Sequence, residues 1–202
     1  MILKRNNILM LLIYSGMLIG CREVPVPKPR GYFRIDLPER EYTSFRGSSK
    51  ELQDLLPLSF EYPVYGEISS GSDYNYEPGW FNIDFPFYKA TIHLTYKDVR
   101  NDLEELIEQT YRMNVKNHIS KADAINEEIF ENPEKEVYGI LYDLKGNTAT
   151  ALQFFVTDSV KHFLRGSLYF SAEPNADSLA PLIDFFRKDI LHLIETLEWK
   201  QN

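Results

Sequence analysis

Apolar and polar residues alternate through much of the chain between residues 32 and 97. An apolar residue at every second position is typical of a β-strand with one buried face. Pro86 lies between two of the alternating runs, where a turn would join them as a hairpin. The pattern therefore predicts four strands in this region, at residues 32–37, 58–64, 81–85 and 90–96.

The spacing of apolar residues changes to three and four positions over residues 98–119 and again over residues 179–194. This is the spacing of an amphipathic helix. The second helix would begin at Asp177 or Ser178, which are good capping residues, with Pro181 in its first turn. Between the helices the sequence predicts a weak strand and then a three-stranded meander, at residues 124–130, 137–144, 148–156 and 161–171.

The order of these elements predicts the fold class. Connections of hairpin length indicate an antiparallel or mixed sheet, because neighbouring parallel strands need a long crossover between them. The two amphipathic helices are expected to pack on one face of that sheet. The predicted fold is α+β, similar in the order of its elements to small PsbP/Mog1-like sandwiches.

The first 20 residues differ in character from the rest. Lys4 and Arg5 precede a short apolar run at residues 8–19, and Cys21 follows Gly20. This is the layout of a bacterial export signal, and the run is too short for a spanning helix, which needs about 20 apolar residues. A cysteine directly after the small residue resembles a lipobox, although Ile19 stands where Ala or Ser is usual. We expect a signal peptide at residues 1–20 and lipid attachment at Cys21.

A proline-spaced segment follows the cysteine. Pro25, Pro27 and Pro29 alternate with other residues, which favours an extended polyproline II chain with about 3.1 Å per residue. Residues 21–31 are therefore predicted to be a tether, and residues 32–202 a single domain.

Composition limits the classes of partner. The chain has a net charge of −8, and loss of Lys4 and Arg5 with the signal peptide would make it −10. Nucleic-acid binding needs clustered basic residues, so an acidic protein is not expected to bind nucleic acid. Because Cys21 is the one cysteine of the chain, no disulfide within it is expected.

No motif predicts catalysis, a cofactor or a metal site. The four histidines lack the spacing of zinc ligands, and no nucleophile-elbow or phosphate-loop motif occurs. Asp73, Asn75 and Glu77 alternate as in a calcium loop, but Pro78 stands where an EF-hand loop requires glycine. The sequence favours a surface loop there and a protein that is not an enzyme.

Exposed aromatic and arginine side chains are the candidate binding residues, because these types contribute most at protein interfaces. The alternative is that they take part in ordinary packing against the sheet. The candidates are Arg30, Tyr32 and Arg34 beside the tether, and Tyr74, Tyr76 and Trp80 in one loop.

Five short blocks carry a resemblance to a known family, and with the lipobox-like segment they extend over nearly the whole chain. The blocks are Pro27-Lys28-Pro29-Arg30-Gly31-Tyr32-Phe33-Arg34-Ile35-Asp36-Leu37-Pro38, Phe60-Glu61-Tyr62-Pro63, Asn82-Ile83-Asp84-Phe85-Pro86, Ile92-His93-Leu94 and Lys121-Ala122-Asp123-Ala124-Ile125. In these blocks the chain resembles the gliding-motility lipoprotein GldD family of the Bacteroidetes.

The resemblance implies an envelope lipoprotein that is required for gliding and associated with the type IX secretion machinery, alongside other Gld lipoproteins. The resemblance implies a role for one residue of this chain, namely lipid attachment at Cys21. Arg22 is not the Asp that retains lipoproteins at the inner membrane of enteric bacteria, which favours the outer membrane, with the domain in the periplasm. The expected role is binding or assembly of partner proteins. A small-ligand or polysaccharide-binding module and, less favoured, a hydrolase are the alternatives.

Overall fold

A large antiparallel sheet forms the centre of the protein in a computed structural model that describes residues 35–45, 56–70 and 79–200. The sheet has seven strands in the spatial order β4-β5-β6-β10-β9-β8-β7, and the pairs β1-β3 and β2-β11 form two small sheets beside it. In chain order the strands are β1 (Tyr42–Ser44), β2 (Leu58–Ser59), β3 (Glu61–Pro63), β4 (Glu67–Ser69), β5 (Trp80–Phe85), β6 (Ala90–Asp98), β7 (Ala124–Asn132), β8 (Val137–Lys145), β9 (Thr150–Thr157), β10 (His162–Phe170) and β11 (Glu198–Trp199).

Two α-helices complete the described part of the chain. Helix α1 (Leu103–Tyr111) continues into a π-helical turn at Arg112–Lys116. Helix α2 (Ala176–Thr196) begins after Asn175, whose side chain accepts a 3.1 Å hydrogen bond from the backbone N–H of Ser178. None of the helices described combines the length and the apolar character needed to cross a membrane.

The helices pack on opposite faces of the sheet. Phe154 of β9 belongs to the core that includes α2, whereas its neighbour Phe155 belongs to a second core that includes Leu106 of α1. Successive side chains of a strand point to opposite faces, so the expectation that both helices pack on one face was wrong. Strand β9 shows why the helices must lie on both faces. All 8 of its residues are buried, and a strand is buried throughout only when both faces of its sheet are covered.

The predicted fold class is confirmed, because the described residues form an α+β structure with an antiparallel sheet and two main helices. The predicted hairpin is formed by β5 and β6, which are joined through a short 3₁₀ turn at Pro86–Tyr88. The predicted strand after the first helix and the meander correspond to β7, β8, β9 and β10.

Two predicted strands near the start of the domain were wrong in detail. Residues 32–34 of the first predicted strand lie outside the described residues, residues 35–41 contain no strand, and β1 begins later, at Tyr42. Pro38 has no N–H to donate to a strand ladder, which explains the loss of pairing there. The predicted strand at 58–64 is divided at Phe60 into β2 and β3, which pair with different partners.

The limits of both helices also differ from the prediction. The first helix was predicted to begin at Asp98, but this residue ends β6 and pairs with His162, so that α1 begins only at Leu103. The second helix begins at Ala176 with Asn175 as its cap, not Asp177 or Ser178. Pro181 consequently lies in the second turn of α2 instead of the first.

Candidate binding face

The structure places one of the predicted binding residues, Trp80, on the surface. Trp80 is the first residue of β5, and 41% of it is exposed. The other predicted residues, namely Cys21, Arg30, Tyr32, Arg34, Tyr74 and Tyr76, lie outside the described residues. The acidic segment at residues 73–77 also lies outside them, so the calcium-loop alternative is not tested.

Trp80 lies on a part of the sheet that α1 does not cover. The core beneath α1 includes side chains of β8, β9 and β10 but none of β5 or β6. In the register of the sheet, Trp80 lies opposite Thr95, and Thr95 lies opposite Arg165. We call this surface the open face, defined by Trp80, Asn82, His93, Thr95, Arg165 and Tyr169.

A chain of hydrogen bonds orders two polar side chains of the open face, Asn82 and His93. The Asn82 amide donates to Ser69 Oγ at 3.4 Å, and the Ser69 hydroxyl donates to Asp84 at 2.5 Å. Asn82 Oδ1 therefore accepts from His93 Nδ1–H at 2.8 Å. Partial burial lowers the pKa of His93, opposed by the nearby charge of Asp84, so His93 presents an uncharged ring to solvent at neutral pH.

Arg165 differs from the other charged residues near the open face. It is half-buried at the boundary with the π-helical turn, and its guanidinium Nη1 donates to the Met113 thioether at 3.2 Å. Burial lowers the pKa of Arg165. No carboxylate of the described residues forms an ion pair with it, so a cation without a counter-ion from this part of the chain lies on the same face as Trp80, with β6 between them.

A buried carboxylate on α2 holds the first described segment of the domain. Asp189 is 1% exposed, and its oxygens accept hydrogen bonds from the Tyr42 hydroxyl at 3.0 Å and the Tyr65 hydroxyl at 2.6 Å. Arg40 Nε lies 3.4 Å from the same carboxylate, and the guanidinium lies over the Phe185 ring at 4.4 Å. We call Arg40, Tyr42, Tyr65 and Asp189 the Asp189 cluster.

The ionisation of this cluster follows from its burial. Burial raises the pKa of Asp189, although the hydrogen bonds from Tyr65 and Tyr42 and the charge of Arg40 act in the opposite direction. Burial and the neighbouring Asp189 raise the pKa of Tyr42 to about 12, and that of Tyr65 still further. The donors are therefore fully protonated at neutral pH, and the cluster acts as a structural link between residues 40–42 and α2.

A groove on another side of the domain is the second candidate site. It has a volume of about 830 Å³ and is lined by residues 133–136, 158, 160–162 and 198–200. The rings of His162 and Trp199 stack there with centroids 5.2 Å apart. The Trp199 indole N–H donates to the carbonyl of Glu136 at 3.0 Å, which fixes the ring at the wall of the groove.

Hydrogen bonds behind the groove set the tautomer of His162. The Tyr96 hydroxyl donates its hydrogen to Asp98 at 2.8 Å, so it accepts the 2.8 Å bond from His162 Nδ1. His162 therefore keeps an unprotonated Nε2 when it is neutral. Burial and the bond to Asp98 raise the pKa of Tyr96 well above its ordinary value. In the described ranges, no three His, Cys, Asp or Glu side chains are placed to hold a metal ion.

Sequence reasoning missed the Asp189 cluster and the groove. Tyr42 and Asp189 are 147 positions apart, and Tyr96 and His162 are 66 apart. No local spacing could have joined either pair. Only the alternation of polar residues along β6, which places His93 opposite to the buried side chains, carried a partial signal for the open face.

The described residues define an α+β domain with one helix on each face of an antiparallel sheet, in which α1 does not cover β5 and β6. A sequence model described as the gliding motility lipoprotein GldD matches residues 22–199, and the chain belongs to this family. The predicted family resemblance is thus confirmed. A lipoprotein is membrane-anchored, so membership also gives an envelope location.

Comparison with curated proteins finds no match. Among solved structures, the chain is similar to cyanobacterial PsbP (CyanoP) from Synechocystis, with 13% sequence identity and a TM-score of 0.46 over 81% of this chain and 95% of that chain.

Proposed function

We propose that this gliding motility lipoprotein acts as a binding or assembly factor, with its open face as the docking surface for a partner protein in the periplasm. The observation that carries the proposal is the position of Trp80. This large aromatic side chain is 41% exposed and lies on the same face as the unpaired Arg165. Thr95 of β6 lies between the two residues. Trp and Arg are the types that most often dominate the binding energy of protein interfaces.

The proposal includes anchorage at Cys21 by diacylglycerol. The family match that begins at Arg22 supports a mature N-terminus at the preceding residue. The partners are other lipoproteins or envelope proteins of the gliding and type IX secretion machinery, as the family resemblance implies. The outer membrane is the proposed site of the anchor.

The proposed role is not catalytic. His93 and Asn82 of the open face are joined in one hydrogen-bonded chain, through Ser69, to Asp84. Such a chain fixes the rotamers of the surface, and a rigid surface loses little conformational freedom when a partner binds. This is what docking requires.

A gliding assay with matched aromatic substitutions tests this function. We expect Trp80→Ala, introduced at the chromosomal locus, to impair gliding while the protein level stays normal. Phe87→Ala is the control, because Phe87 is 82% exposed but lies in the turn between β5 and β6, away from the open face. Normal gliding of the Trp80→Ala strain, or an equal defect in the Phe87→Ala strain, would contradict the proposal.

The groove beside Trp199 favours a second candidate, the binding of a small ligand or a polysaccharide. Its volume of about 830 Å³ and the stacked rings of His162 and Trp199 fit such a ligand. Because the chain has 2 tryptophans, fluorescence of the Trp80→Phe and Trp199→Phe variants separates the two surfaces. Quenching by envelope oligosaccharides that needs Trp199 would favour the groove.

A further inference from the structure

Arg165 has a poor hydrogen-bond partner for a guanidinium. Its Nη1 donates to the sulfur of Met113 at 3.2 Å, and a thioether is a weak acceptor. None of the described carboxylates pairs with it. A guanidinium that loses water without gaining an anion is unfavourable, so the domain keeps a cation that is ready for an external acceptor.

Two buried amides near Arg165 also lack partners. Gln153 is 3% exposed, and its Nε2 has no hydrogen-bond partner, whereas its Oε1 accepts from Ser167 at 3.4 Å. Asn114 is 1% exposed, and both polar atoms of its side chain lack partners. Buried amides are normally hydrogen-bonded, so each such orphan requires an explanation.

The fold brings these three residues to one place. Gln153 lies opposite Ser167, which is on the same face of β10 as Arg165 and two positions further along. Asn114 follows Met113 in the π-helical turn that contacts the Arg165 guanidinium. Single π-helical turns within α-helices are frequent at functional sites. A strand, its neighbour and the helical turn therefore place these unpaired amides in the interior, beneath the edge of the open face.

The donors present define the ligand. A planar guanidinium with five N–H groups matches a carboxylate, which arginine binds through two parallel hydrogen bonds. Arg165 supplies a single positive charge, which one carboxylate neutralises.

The dimensions of the open face indicate that a protein supplies this carboxylate. Trp80 is on β5 and Arg165 is on β10, with β6 between them. With strands about 4.8 Å apart, the two side chains are rooted about 10 Å apart. A partner surface spans that distance, whereas a small carboxylic acid contacts only one of the two.

We propose that Arg165 binds the carboxylate of an aspartate or glutamate side chain of a partner protein docked on the open face. This inference rests on the proposed function in taking the open face as the docking surface.

The first test uses acetate as the isolated carboxylate. The full-length lipidated protein in detergent micelles is titrated with sodium acetate, and NMR follows the Nε–Hε signal of Arg165. We expect a saturable shift of this signal, with no such shift from sodium chloride at the same ionic strength. If acetate produces no saturable shift, the carboxylate site is wrong. The proposed docking function can still be judged by crosslinking from position 80, so the two failures are distinguishable.

Substitution of Met113 supplies an internal ligand. Because the Met113 sulfur already contacts Arg165 at 3.2 Å, Met113→Glu places a carboxylate on the guanidinium. We expect Met113→Glu to raise the melting temperature and abolish the acetate shift. The neutral control Met113→Gln retains the shift. Retention of the shift in Met113→Glu, or its loss in Met113→Gln, would overturn the assignment.

Charge reversal in cells tests the source of the carboxylate. Arg165→Glu is expected to reduce crosslinking of the partner from position 80 by about tenfold or more, which corresponds to loss of one charge-assisted contact. Lys97→Glu is the matched control, because Lys97 is an exposed cation two residues beyond Thr95 on the same strand. Reversal of the contacted acidic residue in the partner to Arg is expected to restore crosslinking. Undiminished crosslinking by Arg165→Glu would overturn the protein-borne source.

Discussion

The hydroxyl group of Tyr65 donates a 2.6 Å hydrogen bond to Oδ2 of Asp189, across 124 positions of the sequence. Tyr42 donates to the other oxygen of the same carboxylate, and Tyr42 belongs to the first described strand of the domain. The cluster therefore joins the start of the domain to the middle of α2.

Loss of the Tyr65 hydroxyl is expected to destabilise the fold. Tyr65→Phe removes a hydrogen bond to a buried carboxylate, so we expect the free energy of unfolding to fall by about 1.5–3 kcal/mol. Urea denaturation followed by circular dichroism measures this. Tyr138→Phe is the control, because no hydrogen bond of the half-buried Tyr138 hydroxyl is found among the described residues, and it should change stability by less than about 0.5 kcal/mol. Equal effects of the two substitutions would contradict the role of the cluster.

The raised pKa values of the phenols predict sensitivity to alkali. The pKa of Tyr42 rises from 10.0 to about 12 in the folded protein, and the pKa of Tyr65 is raised further. The stability that neutral phenols contribute is complete below their unfolded pKa of about 10 and is lost as pH rises through the folded values. We expect a constant urea midpoint between about pH 8 and pH 9 and a steep decline above about pH 10.

Tyr65→Phe also serves as the variant for this pH series. Removing one of the titrating phenols is expected to make the alkaline decline of the midpoint shallower than in the unsubstituted protein. A decline of the same steepness in both proteins would show that groups other than this cluster govern it.

Local patterns predicted β5 and β6 of the central sheet well, because these strands have one face that is clearly more apolar than the other. The β5–β6 hairpin is an example, since Phe81, Ile83 and Phe85 alternate before Pro86. The first helix was predicted to begin too early, because Asp98 fits the spacing of a helix as well as the alternation of a strand. Asp98 is part of a strand because it pairs with His162 on β10, a residue 64 positions away in the sequence.

The candidate site was only partly predictable. Trp80 was identified by residue type and by its place near other aromatic residues. Arg165 was not, since an arginine between apolar residues of a strand has the pattern of any exposed position. Its unusual property, a guanidinium beside Met113 with no described carboxylate, depends on how the π-helical turn packs over β10. Such tertiary contacts leave no trace in local periodicity.

The lipid anchor is predicted to be essential for function and irrelevant for folding. Cys21→Ala removes the thiol that would carry the diacylglycerol, so we expect the protein to leave the membrane fraction and gliding to be lost. The far-UV circular dichroism spectrum is expected to remain that of the native protein, because Cys21 precedes the domain. Cell fractionation with immunoblotting checks the location. Normal gliding by a strain that produces only the unlipidated protein would contradict this part of the account.

Photo-crosslinking from the open face tests the central claim most directly. A photoreactive amino acid replaces Trp80 in gliding cells, and a second strain carries it at Phe87, which is 82% exposed away from the open face. After irradiation, mass spectrometry identifies the attached proteins. We expect one dominant envelope protein joined to position 80 and not to position 87. Absence of a specific adduct from position 80, or the same adduct from both positions, would contradict the claim that the open face is a docking surface.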